Sequence, residues 1–134
     1  IARNRWPSWL GWRDLDHNET PDTSLVRDFY REQFWSRVRG DDIADQRTAS
    51  TLFDFAVNAG TVTAIKLAQI VAGVTPDGAF GEKTLSAVND MDGEKFALSY
   101  ALAKIARYRD IVTRDRTQAK FLLGWINRTL REAA

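Results

Sequence analysis

The stretch Thr51-Leu52-Phe53-Asp54-Phe55-Ala56-Val57-Asn58-Ala59-Gly60 constrains this chain more than any other. Most of it is apolar whichever way a helix is turned, and a helix of that kind belongs in a core. The exceptions, Asp54 and Asn58, are four residues apart and share one helical face. Gly60 stands where a positive φ commonly closes a helix. A nearly buried helix with one polar edge needs partners for that edge, because unpaired buried polar groups are costly. Neighbouring backbone and a ligand in a cleft are both open as partners.

Composition removes several function classes. The 134 residues suffice for one domain with a real core. A net charge of +1 argues against bulk binding to nucleic acid, which needs a basic surface. There is no Cys, and His17 is the sole His, so no metal, cofactor or Ser/His/Asp triad is expected. No apolar run is long enough to predict a membrane span, and nothing at the N-terminus resembles a signal peptide. The chain opens on Ile1 rather than Met, which points to a piece of a longer or processed chain.

The remaining pattern predicts helices and no strand. Residues 1–22 read as irregular, with Trp6, Trp9 and Trp12 set around Pro7 and Gly11 as either a lid or a core plug. His17 reads as a solvated loop residue, and Asp41-Asp42 as a cap or a solvated loop. A helix is expected from Ser24 to Val38, with Leu25, Val26, Phe29, Tyr30, Phe34 and Val38 on its apolar stripe. The central helix is expected to begin near Thr48. A further helix follows from Val62 to Ala72, with Ile65, Ile70 and Val71 inward and Gly73 as its stop. Others are expected from Gly81, over 94–112 with Phe96, Tyr100, Ala103, Ala106 and Tyr108 recurring, and over 117–131.

Two motifs carry a resemblance. Gly73-Val74-Thr75-Pro76-Asp77-Gly78-Ala79-Phe80-Gly81-Glu82-Lys83-Thr84-Leu85-Ser86-Ala87-Val88 resembles the signature of small helical peptidoglycan-binding domains. Its local logic is structural: Asp77-Gly78 turns the chain, Phe80 plugs a helix pair, and Gly81 is expected to permit close approach. Tyr30 to Asp42, with Leu52 to Gly60, Ala64 to Gln69 and Gly124-Trp125-Ile126-Asn127-Arg128, resembles glycoside hydrolase family 108. That family comprises lysozyme-like N-acetylmuramidases of phages and bacteria, some described as secretion activators.

The resemblance implies an all-α, single compact lysozyme-like helical domain. Residues 1–46 would be a remnant of the catalytic lobe and 47–134 the peptidoglycan-binding-like part. It implies peptidoglycan glycan strands as partner, and action at the periplasm or cell wall after synthesis in the bacterial cytoplasm. The family's catalytic glutamate lies in a Glu-Gly-Gly-Tyr motif upstream of a stretch ending in Gly-Ile, and no Glu-Gly-Gly occurs in this chain. The chain is therefore expected to be inactive as given: a fragment of an enzyme, or a member without catalysis.

Glycoside hydrolysis needs a carboxylic acid that stays protonated, usually in a partly apolar pocket. Glu19 sits in a polar loop and Glu32 on an outer face, so neither is a good acid; Asp54 is better placed but suits a cleft or scaffold role. Sugar binding wants an aromatic platform beside amides and carboxylates. Tyr30, Trp35, Asp54 and Asn58 are the candidate substrate-binding residues, with core filling by Tyr30 and Trp35 as the competing reading. A wall-binding or secretion-related interaction module without activity is the rival function.

Overall fold

In the computed structural model, which describes residues 1–133, the chain folds into seven α-helices and no strand. They are α1 (Gly11–Asp16), α2 (Thr23–Tyr30), α3 (Gln46–Ala59), α4 (Thr61–Ala72), α5 (Glu82–Asp90), α6 (Gly93–Arg114) and α7 (Leu122–Ala133). Helix α3 lies at the centre, against α4, α6 and the turns at 31–35 and 40–42.

Short polar residues set the helix starts. Asp22, Asp45 and Asp92 each accept a backbone N–H from the first turn of α2, α3 and α6. The Asp45 cap starts α3 at Gln46, two residues before the expected Thr48. Gly60, at φ 95°, ends α3 and begins α4, and Gly73, at φ 76°, ends α4.

The predicted helix over 24–38 is interrupted. Tyr30 is the last α-helical residue, and Arg31–Trp35 form a π-helical turn in which Ser36 N–H reaches Arg31 C=O at 2.8 Å. Arg39, at φ 53°, then reverses the chain. The wider turn lets Trp35 lie over Gly40, where an added Cβ would stand 2.2 Å from the indole. Residues 1–22 are less irregular than expected, since α1 forms within them. Trp6 meets Phe29 edge-on at 5.1 Å, and Trp12 Nε1 donates to the Trp6 carbonyl at 2.8 Å. His17 is exposed at the end of α1, with Nδ1 on the Arg13 carbonyl.

The core holds Val38, Leu52, Phe55, Ile65, Val88, Phe96 and Tyr100. One inward assignment fails: Ile70 is 58% exposed; of the residues recurring along α6, Ala106 faces solvent. The row on α6 that is buried is Phe96, Tyr100, Lys104 and Tyr108, one residue per turn. Lys104 is almost wholly buried, its Nζ over the rings of Phe55 and Tyr100, and it is paired with Glu132 of α7. A buried ammonium needs such a counter-ion.

The Asp-Gly turn is held from α4. Buried Gln69 donates to Asp77 Oδ1, the Ala79 carbonyl and Thr84 Oγ1, and accepts from Gly78 N–H at 2.9 Å. Within this turn Gly78, at φ 81°, is pressed by neighbours, with Val62 3.1 Å from an added Cβ. The expected close approach at Gly81 is absent: a Cβ there meets nothing, and Gly81 instead begins α5.

Gln69→Leu keeps the volume but strands the Gly78 N–H and the Thr84 hydroxyl. The expected cost is about 2 kcal/mol, read from urea unfolding, with faster amide exchange at Gly78. An unchanged midpoint would show that the turn holds without Gln69.

Candidate functional site

Helix α3 is not sealed on all sides. Thr48, Ala49, Thr51, Leu52, Phe55 and Ala56 are buried, while Asp54, Val57 and Asn58 are exposed. The wet side is the Asp54 and Asn58 edge, which α2 and α7 flank without covering. Between them runs an open groove of ≈ 630 Å³. Tyr30, Phe53, Asp54, Val57 and Asn58 form one wall, and Arg128, Arg131 and Glu132 of α7 the other. Spacing of three and four places these α7 residues on one face.

Three of the four sequence-selected residues meet in this groove: Tyr30, Asp54 and Asn58. Tyr30 is half-buried against Phe29 and Phe34, with its ring centroid 5.3 Å and 5.9 Å from theirs. Asn58 Nδ2 donates to the Asp54 carbonyl at 2.9 Å, one turn back. Trp35 is not among the lining residues. Its Nε1 donates to Asp41 Oδ1 at 2.9 Å, and its ring meets Phe53 at 5.7 Å, so it stands behind the groove wall. Asp41 also takes Arg31, which is a structural use of that acid.

The Asp54 carboxyl has no hydrogen bond or ion pair among the described residues. Partial loss of hydration pushes its pKa up; the charge of Glu132 adds to this, and Lys104 opposes it. Two smaller depressions adjoin at Asn58. One, ≈ 240 Å³, reaches past Tyr30 to Trp6 and Gln33; the other, ≈ 190 Å³, is lined by Arg107, Tyr108, Trp125 and Arg128. Asn58 thus borders all three depressions.

Sequence reasoning missed Phe53, Val57, Arg128, Arg131 and Glu132 as groove residues. Lys104 carried the available signal: a lysine in an apolar row of period four implies a buried partner. Glu19 stays exposed, and Glu32 lies on the π-helical turn, away from this groove.

Comparisons with known proteins agree with the motifs. Residues 63–130 match the family model described as Predicted Peptidoglycan domain, and residues 1–60 the model described as Glycosyl hydrolase 108. A solved structure titled "Structure of Brucella abortus SagA" is similar, with 32% identity and a TM-score of 0.73. The match covers 84% of this chain and 62% of that one, so the chain spans less than two thirds of that protein. No curated protein matches.

Two outcomes are expected. Because Asp54 holds its proton more tightly when folded, it contributes stability that is full below the unfolded pKa of 3.8 and is lost as pH rises through the folded value. Denaturation midpoints of wild type and Asp54→Asn should therefore diverge in favour of Asn as pH rises through that window; a constant difference would refute the shift. Removing one member of the buried pair, by Glu132→Ala, should cost about 3 kcal/mol, whereas Lys104→Met with Glu132→Leu should cost much less. Equal losses in urea unfolding would show that the ion pair is not what the site depends on.

Proposed function

The chain belongs to the family of the predicted peptidoglycan domain and carries a glycosyl hydrolase 108 segment before it, and on that footing we propose that it holds the glycan strand of bacterial peptidoglycan in a cell-wall hydrolase of the N-acetylmuramidase type. The observation that carries this reading is the wet polar edge of α3, with Asp54 and Asn58 facing an open groove rather than sealed by main chain. Tyr30 and Phe53 offer apolar surface to sugar rings, and Asn58 and Asp54 offer hydrogen bonds. Trp35 contributes from behind by backing Phe53.

The two parts, 1–46 and 47–134, act as one compact unit. In support, Arg39 pairs with Glu82, and Asn89 bonds both Ala44 N–H and the Asp42 carbonyl. Action is at the periplasm or wall, following synthesis in the cytoplasm. No described helix is long and apolar enough to cross a membrane.

This chain does not supply the acid step. Of the two groove carboxylates, Glu132 is tied to Lys104, and Asp54 stands on an open wall. A hydrolytic acid needs a pocket that keeps it protonated near the leaving oxygen. The same observation favours the second reading, a wall-binding module without catalysis.

Retention on purified peptidoglycan tests the proposal. The 134-residue chain should be retained, and Asn58→Ala should weaken retention about threefold to tenfold with the melting temperature nearly unchanged, whereas Tyr30→Ala should weaken retention and also lower the melting temperature, because its ring packs on Phe29 and Phe34. The purified chain should not clear a cell-wall suspension. Loss of turbidity would overturn the inactive assignment, and absence of retention would leave a secretion-related protein contact as the better reading.

A further inference from the structure

The far wall of the groove is cationic in a way that the sugar-binding reading does not use. Arg128 and Arg131 project from adjacent turns of α7 across from Tyr30, Phe53 and Val57. Neither guanidinium has a hydrogen bond or ion pair among the described residues, and the charge of Arg128 acts on the nearby Tyr108 hydroxyl. Arg107 of α6 lines the adjoining depression with Arg128. The nearest acid, Glu132, is occupied by Lys104, and Asp54 is the other acid on the groove.

An uncharged sugar chain has no use for two free guanidinia, which are forks matched to carboxylates. Peptidoglycan carries carboxylates in two places: on the lactyl ether of its muramic sugar when no peptide is attached, and along the short peptides that replace that acid. We propose that Arg128 and Arg131 bind the carboxylates of these stem peptides, so that the groove selects peptide-bearing glycan over bare glycan. This rests on the reading of the groove as a glycan site and adds the feature of the strand that is recognised. The long reach of arginine across an open trough suits a side branch better than the sugar backbone, which would lie along the Tyr30 and Asn58 wall.

The experiment compares binding of the full chain to three soluble ligands by calorimetry. They are peptide-bearing peptidoglycan strands, strands stripped of peptide by an amidase, and chitin oligosaccharides, which carry no carboxylate. Peptide-bearing strands should bind tightest, and their advantage should shrink as salt is raised. Arg128→Gln with Arg131→Gln should erase about threefold to tenfold of that advantage, read as the ratio of peptide-bearing to chitin affinity, with the melting temperature nearly unchanged. The matching Arg→Lys pair should keep part of it. Equal affinity for all three ligands, or a preference that survives the double Gln variant, would overturn the inference and leave the glycan reading standing. Tightest binding to stripped strands would overturn it in favour of the lactyl acid. Binding to none of the three would overturn the glycan reading and this inference with it.

Discussion

The buried pair of Lys104 and Glu132 is the interaction on which the groove depends. Its ammonium sits between Phe55 of α3 and Tyr100 of α6, and its carboxylate comes from the last turn of α7. Three helices are thereby brought to one point. An ion pair in such surroundings contributes little net stability compared with apolar packing, but breaking it leaves a charge without water or partner. Its effect is on placement: α7 must approach far enough to present Glu132, and in doing so it brings Arg128 and Arg131 opposite α3. Stacking of Tyr108 on Trp125 at 5.1 Å and the bond from Arg47 to the Ala133 carbonyl hold the same helix along its length.

The groove inherits its asymmetry from that arrangement. One wall is aromatic and amide-bearing, from α3 and the end of α2. The other is cationic, from α7. The acids between them are constrained differently: Glu132 is paired, whereas Asp54 is unpaired and partly stripped of hydration beside Phe53 and Val57. On the proposed reading, the groove holds and orients a ligand between these two walls.

The Asp-Gly segment shows how a motif can mark a family without marking a site. Gln69 gathers Asp77, Gly78, Ala79 and Thr84 around one buried amide. This explains the residue types of the turn by packing alone. The segment does not line the groove beside Asn58, so its value for function lies in fixing α4 and α5 as a frame.

Local chemistry determined the helical class and most of the helix ends, and of the four candidate residues Tyr30, Asp54 and Asn58 line the groove while Trp35 does not. Gly60 and Gly73 could be read as stops because positive φ is cheap only there, and Asp54 and Asn58 could be paired because four residues make about one helical turn. What the sequence could not decide was whether the Asp54 and Asn58 edge of α3 would be met by neighbouring main chain or left on an open groove, because that depends on which neighbours arrive. The same limit hid the π-helical turn that places Trp35 on Gly40, and the partner of Lys104, which comes from twenty-eight residues further along the chain. These are contacts between distant segments, and side-chain pattern within one helix carries no record of its partner.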